Sequence, residues 1–286
     1  MKILVIAPTP FFSDRGTHIR ILEEALALEK RGHEVKIATY HIGNDLPDSL
    51  ETHIDVRRIR RLLFWYKKLE AGPDWQKIAL DLMLVKKTLF LARTWHPDII
   101  HGHLHEGALI GWITKKILFW RKMGLLVDFH GSLTKEMASH SYLRVFGAYG
   151  IFRMIEKWID NRGDAAVASS WDNADEISRI RTKNGTVVPV LDGTRLSMFE
   201  KTSESREKLR DRYAVPQGKT VVVYTGALVP NKGIRLLLEA IPLVCEKYPE
   251  AHFLIAGFPV DQIADYREND EFRTHVTIVS PDRKST

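Results

Sequence analysis

The chain has 286 residues, 44% hydrophobic and 27% charged, with a formal net charge of +6 at pH 7. That length allows two domains, and that balance excludes a fibrous or low-complexity chain. A single cysteine, Cys245, excludes a disulfide within the chain and points to a reducing compartment, while no window nears the roughly 18 uninterrupted apolar residues of a membrane span.

The first residues, "MKILVIAPTP", contain an apolar run of strand length and no small-residue cleavage site, so they read as a first strand and not as a signal peptide. A loop follows from Pro8 to Gly16. "THIRILEEALALEKRG" carries apolar residues at Ile19, Leu22 and Leu26 and at Ile21, Ala25 and Leu28, which is helical spacing, and Gly32 reads as its stop. "EVKIATY" (Glu34–Tyr40) and "HIDVRRI" (His53–Ile59) are the next strands, and Asp74–Trp95 is a long helix. Strand "DIIH" (Asp98–His101) ends at Gly102, and small residues at Gly107 and Ala108 lead into a helix. "LLVDFH" (Leu125–His130) is followed by a helix from about Thr134, "DAAVASS" (Asp164–Ser170) by a helix from Asp172, and "TVVPV" (Thr186–Val190) closes the half.

After a polar seam at Leu191–Ser205 the pattern restarts. It has strand "KTVVVYTG" (Lys219–Gly226), a helix over Gly233–Pro249, strand "HFLIAG" (His252–Gly257), a short helix over Gln262–Phe272 and strand "HVTIV" (His275–Val279). Strands apolar on both faces and alternating with helices predict an α/β protein of two Rossmann-like, doubly wound parallel sheets. The domains are 1–195 and 196–286, the second incomplete, because it has three strands where such a sheet normally has five or six.

Ligands of open parallel sheets bind beyond the carboxyl ends of the strands. Gly16 and Thr17 open a helix there, and its N–H groups suit an anion, although Gly16 alone also suits a tight turn. The absence of G-x-G-x-x-G argues against a nicotinamide or flavin enzyme. In "HGHLHEG" the break at Gly102 keeps His101, His103 and His105 from sharing one strand face, so hydrogen bonding is favoured over a metal even with Asp128 on the next strand. His105 and Glu106 start the next helix, and for His103 a solvated loop is an equal reading. His130 ends its strand, where an imidazole can act on a developing charge, and Gly131 and Ser132 follow it. Gly226 ends the strand of the second half, and Lys232 and Gly233 precede its helix, which places an ammonium and helix N–H groups in a position suited to a diphosphate.

Two basic runs, Arg57–Lys68 and Thr114–Gly124 with cations at Lys115, Lys116, Arg121 and Lys122, interleave aromatics with positive charge and carry no acid. They suit an anionic lipid surface, and they suit equally a solvated face over an apolar core. No nucleic-acid-binding signature accompanies them.

The segments "GTHIRILEEALALEKRGHEVKIATY", "PDIIHGHLHEGALIG", "DFHGS", "DAAVASSWDNADEI", "VPVLDGTRLSMF" and "YTGALVPNKGIRLLLEAI", in this order, resemble the retaining glycosyltransferases of family 4. The resemblance implies a GT-B fold, a nucleotide-diphospho-sugar donor held mainly by the second domain, and an acceptor held mainly by the first. That acceptor would be lipid-linked, a polysaccharide or a small molecule. It places Gly16, Gly226, Lys232 and Gly233 at the donor, His130 at the transferred sugar, and Thr17, His105, Glu106, Gly131 and Ser132 on the acceptor side. It implies no cofactor and no obligatory metal. The lone cysteine and the two basic runs suggest a cytoplasmic protein, peripheral on the inner face of the membrane where those runs engage it. Two departures stand out. Ala227 and Leu228 follow Gly226 where the family often has an arginine, and the family's paired glutamates, E-x7-E, would fall beyond residue 286. The second domain is therefore expected to be truncated, with apolar surface uncovered and turnover poor or nil. The alternatives are a non-catalytic, membrane-peripheral partner subunit and a metal-dependent hydrolase built on "HGHLHEG".

Overall fold

The computed structural model describes residues 1–13, 15–62, 65–66, 76–139, 148–182, 187–196, 204–267 and 270–280. They fall into two compact units, Met1–Leu196 and Ser197–Thr286.

The first unit contains β1 (Lys2–Ala7), α1 (Gly16–Lys30), β2 (Glu34–Thr39), β3 (Asp55–Arg58), α2 (Gln76–Trp95), β4 (Ile99–His103) and α3 (Leu104–Ile117). It continues with β5 (Gly124–Phe129), α4 (Leu133–Ser139), α5 (Ala148–Asp160), β6 (Ala165–Ala168), α6 (Trp171–Ile180) and β7 (Val187–Pro189). The strands pair in parallel in the order β3-β2-β1-β4-β5-β6-β7. Chain order reverses between β1 and β4, so a crevice opens beyond the carboxyl ends of these neighbours. Side-chain alternation sends Leu4 and Ile6 to one face, with Leu80 and Leu84 of α2 and Ile110 of α3. Ile3, Val5 and Ala7 go to the other face, with Ile21, Leu22 and Ala25 of α1. Each fully buried leucine or isoleucine here contributes about 1.5–3 kcal/mol.

One strand differs from its predicted form in a way that reshapes the site. β4 does not end at His101. It runs to His103, and Gly102 lies within it, paired with Ile6 and Val127. The glycine answers to packing and not to strand termination, because a Cβ at position 102 would stand 2.5 Å from the carbonyl oxygen of Gly107 on α3. His101 and His103 therefore project from the same face of one strand, and His103 is fully buried and no part of a solvated loop.

Helix α5 was not anticipated from the sequence, and it is built inside out. Its buried residues are Glu156, Ile159 and Asp160, while Tyr149, Ile151, Met154 and Trp158 are exposed. Exposed apolar residues also follow α3, where Phe119 is 79% exposed next to Trp120. Within the basic run 57–68, Leu63, Phe64, Lys67 and Lys68 lie outside the described residues. Arg58 turns inward, donating to the carbonyls of Phe11, Ile42 and Asn44. No helix among the described residues is long and apolar enough to cross a membrane.

The second unit contains α7 (Arg206–Arg212), also unanticipated, then β8 (Thr220–Thr225), α8 (Ile234–Lys247), β9 (Ala251–Ala256), α9 (Ala264–Arg267), α10 (Asp270–His275) and β10 (Val276–Val279). The helix expected over Gln262–Phe272 is divided into a turn at Val260–Ile263, α9 and α10. The sheet is parallel, in the order β10-β9-β8, and packs Phe253 and Ile255 against Ile234, Leu238 and Ile241 of α8. Val222 and Val223 of the edge strand β8 are exposed, which is the uncovered apolar surface expected of so short a sheet.

Candidate active site

The polar groups of the first unit gather at the carboxyl ends of β1, β4 and β5 and at the start of α1. Gly16 is exposed in the first turn of α1 and Thr17 is half-buried beside it. The turn before them is clamped by His18, whose Nδ1 pairs with Ser13 Oγ at 2.6 Å and whose Nε2 pairs with Thr9 Oγ1. Arg20 lies deeper on the same helix. Its Nε donates to Asp128 Oδ2 at 2.8 Å and its Nη2 to Asp128 Oδ1 at 3.0 Å. Nη1 reaches the Val190 carbonyl at 2.7 Å and Asp192 Oδ1 at 2.8 Å, and Nη2 also pairs with Glu24 at 2.9 Å.

Asp128, fully buried on β5, is the hub. His103 Nδ1 and His130 Nε2 each stand 3.1 Å from its Oδ2 and 3.2 Å from one another. Burial alone would push this carboxyl up, but hydrogen bonds from His103 and His130 hold it well below the usual carboxylate range. An ionised carboxylate only accepts, so both imidazoles turn a proton to Asp128, and His130 keeps Nδ1 as its acceptor nitrogen. Burial likewise works against the charge of Arg20, and its bonds to Asp128 more than offset it, raising its pKa.

The three histidines of "HGHLHEG" do not converge. The ligand-capable atoms of His101 and His103 group with Glu24 and Asp128, and those of His105 group with Glu156 and Asp160. His105 is buried at the start of α3, with Nε2 3.3 Å from Asp160 Oδ1. Glu106 pairs with Lys77 of α2 at 3.2 Å. Ser132 donates to Glu156 Oε1 at 2.6 Å, and Gly131 is exposed beside it.

In the second unit Gly226 follows β8 and its N–H donates to the Ala256 carbonyl at 3.0 Å. Lys232 is exposed at the end of a 3-10 turn. Gly233, at φ 75°, takes the left-handed conformation that lets the chain swing into α8, where the first N–H groups have no partner within the helix.

The family model for Glycosyltransferase Family 4 matches residues 15–190, and that for Glycosyl transferases group 1 matches residues 205–280. The chain belongs to glycosyltransferase family 4. This family 4 chain is 26% identical over 259 residues to TuaC, a Bacillus subtilis glycosyltransferase named for teichuronic acid biosynthesis, covering 90% of this chain and 57% of TuaC. It is 27% identical over 265 residues to the phosphatidyl-myo-inositol mannosyltransferase of Mycobacterium tuberculosis, covering 90% of this chain and 60% of that protein. The chain thus spans little more than half the length of these relatives. Among solved structures, sucrose-phosphate synthase from Thermosynechococcus elongatus superposes with a TM-score of 0.71 at 19% identity, covering 98% of this chain and 70% of that one. Anabaena HepE, solved with UDP and glucose, gives 0.67 at 16% identity, covering 98% and 69%. The fold is GT-B, with two Rossmann-like parallel sheets.

The sequence reading of this family 4 chain did not include Arg20, Glu24, Glu156 or Asp160 among its site residues. Arg20 and Glu24 sit four apart on α1, and that spacing was the available signal. Their partners lie about a hundred residues away and no local pattern names them.

These buried groups set a pH optimum. Burial pushes His18 down to about 4 and His101 down to about 3, and lowers His103 as well. In the unfolded chain all three bind a proton below about 6.5 while the folded unit refuses it, so stability is lost as pH falls from there. Burial pushes Glu24 up to about 8 and Asp81 up to about 7. Folded, they hold protons that the unfolded chain releases above about 4, so stability is lost as pH rises through those values. Three histidines outweigh two carboxylates below about pH 6.5, and between there and about pH 8 the carboxylates lower stability. Stability of the first unit is expected to peak near that pH. Tryptophan-monitored unfolding checks this, since all seven tryptophans lie between residues 65 and 171, and a monotonic profile would contradict it.

Proposed function

We propose that this chain is the acceptor-side domain and part of the donor domain of a retaining glycosyltransferase. It moves a sugar from a nucleotide-diphospho-sugar to a lipid-linked, polysaccharide or small-molecule acceptor. The observation that carries the reading is His130, an imidazole fixed by a buried carboxylate at the carboxyl end of β5, inside a family 4 match. In the reaction the bond from the anomeric carbon to the diphosphate oxygen breaks and the acceptor oxygen bonds that carbon from the same face. The acceptor proton passes to the leaving phosphate. No protein nucleophile is required. His130 Nδ1 accepts from a hydroxyl of the transferred sugar, while Lys232 and the first N–H groups of α8 take up the diphosphate charge, so no metal is obligatory. Gly16 and Thr17 serve the donor phosphates and the acceptor respectively. Titrating the chain with UDP-, GDP- and ADP-glucose is expected to shift the NMR signals of Gly16, His130 and Lys232. A panel that leaves all three unmoved overturns the assignment.

A second reading, a non-catalytic partner subunit, is favoured by the exposed Val222 and Val223 on β8. Sugar transfer by the purified chain alone eliminates it.

We further place the protein in the cytoplasm, peripheral on the inner membrane face through Phe119 and Trp120, with Lys116, Arg121 and Lys122 around them. Two exposed aromatics framed by cations suit an anionic bilayer, with each cation near the surface adding about 1 kcal/mol. Vesicles with phosphatidylserine are expected to retain the chain, those of phosphatidylcholine to release it, and Phe119→Ser with Trp120→Ser to weaken retention at least roughly tenfold. Equal binding to both vesicle types argues against the membrane role.

A further inference from the structure

Helix α5 raises a question that the transferase reading leaves unanswered. A helix that turns its apolar side outward has little hydrophobic area with which to hold the fold. Ile159 is the one apolar side chain that α5 buries, and the rest of its buried face is Glu156 and Asp160. Two carboxylates four residues apart share one face of a helix. Opposite them His105 begins α3.

The hydrogen bonds there are unevenly shared. Both oxygens of Glu156 accept hydrogen bonds. Its Oε1 accepts from Ser132 Oγ and its Oε2 from Thr134 Oγ1 at 2.5 Å and Arg153 Nη1 at 2.7 Å, and these bonds outweigh burial and hold its pKa down to about 2. Arg153 is also shared with Glu176 at 2.7 Å. Asp160 is 3% exposed and its Oδ1 accepts no hydrogen bond. Arg181 lies close enough for its charge to act on Asp160, but its Nη groups donate to the carbonyls of Asp160, Arg162 and Gly163 and its buried Nε makes no hydrogen bond. A buried carboxylate oxygen that accepts no hydrogen bond is costly, and the group that faces Asp160 Oδ1 is His105 Nε2 at 3.3 Å.

We infer that His105, Glu156 and Asp160 form a site for one divalent transition cation, Zn2+ or Mn2+, which pins α5 to the start of α3. The donor set, one imidazole and two carboxylates, is suited to such ions. Donors bound at about 2.1 Å to a single ion stand about 3.0–3.6 Å apart. His105 Nε2 lies 3.3 Å from Asp160 Oδ1 and 3.9 Å from Glu156 Oε1, and the three donor atoms all fall within 4.8 Å of one another, so a bound ion would draw them together. The three residues line a small cavity with room for one water-sized particle. Ser132 supplies the outer bond that orients Glu156. At the other cluster of histidines and carboxylates Arg20 bonds both oxygens of Asp128 and Glu24 as well, whereas Arg153 bonds only Oε2 of Glu156 and leaves Oε1 and Asp160 Oδ1 facing His105.

The test uses the untagged chain, stripped with a chelator and titrated with Zn2+ and with Mn2+ by calorimetry, with thermal melts alongside. One equivalent of at least one ion is expected to bind and to raise the melting temperature. Asp160→Asn and His105→Gln are each expected to abolish that equivalent, Ser132→Ala to weaken it about 10- to 100-fold, and His101→Gln to leave it unchanged. Circular dichroism establishes that each variant is folded, and His105→Gln decides the matter should Asp160→Asn fail to fold. No stoichiometric binding of either ion, or binding that survives His105→Gln, overturns the proposal. Neither outcome depends on sugar transfer, so the site and the transferase reading stand or fall separately.

Discussion

Replacing Arg20 with methionine is expected to lower the unfolding free energy of the first unit by about 3–5 kcal/mol, the largest stability loss of any single change considered. The cause is not the lost attraction as such. Asp128 is fully buried, and without the guanidinium its charge rests on two imidazoles alone. Removing one partner of a buried pair leaves an uncompensated charge in a medium that solvates it poorly. Arg20 also ties α1 to the chain beyond β7 through Val190 and Asp192, 170 residues away or more. The methionine keeps the stem that packs in the helix face and removes only the charged head. Denaturant unfolding followed by tryptophan fluorescence gives the number. A loss below about 1 kcal/mol, the range of exposed ion pairs, would mean that water reaches Asp128 in the folded state. The double change Arg20→Met with Asp128→Asn is expected to recover a substantial part of the loss, because it removes the stranded charge as well. A double variant no more stable than Arg20→Met would place the cost in packing instead.

The layout of the sheets could be read from the sequence because it rests on local rules. Runs such as "KILVIA" are apolar on both faces, and that pattern suits only a parallel strand covered on two sides. The site was less legible for three separate reasons. Gly102 looked like a strand breaker, but it is a point of close approach to Gly107, and that mistake alone left a solvated loop as an equal reading for the buried His103. The hub pairs Arg20 with Asp128 across 108 residues, a distance that helix or strand periodicity does not register. Helix α5 inverts the usual rule, with Glu156 and Asp160 inside and Met154 and Trp158 outside, so its pattern carries no warning that the carboxylates are buried. Where local and global preferences disagree in this way, a functional or strained position is the usual cause. The disagreements at Gly102 and at α5 fall on the polar clusters around β4, β5 and α5.

His130→Ala is expected to reduce sugar transfer by about 10²–10³-fold in kcat, with a smaller change in the KM for the acceptor. The argument starts from Asp128. Its ionised carboxylate draws the proton of His130 to Nε2, so Nδ1 carries the lone pair and can accept from a sugar hydroxyl. As the anomeric carbon gains positive charge, that hydroxyl becomes a better donor and the bond strengthens. An interaction that grows towards the transition state lowers the barrier without tightening the ground state, so its loss falls on kcat. The readout is nucleoside diphosphate released from a nucleotide-sugar in the presence of acceptor. Unchanged turnover would remove His130 from the reaction. A loss confined to KM would make the residue a ground-state contact, and it would separate the role of the imidazole from that of the charge network beneath it. Asp128→Asn, which no longer dictates the tautomer, should then lower kcat in a fold that still binds donor, whereas a fall matched by loss of donor binding would point to collapse of the hub.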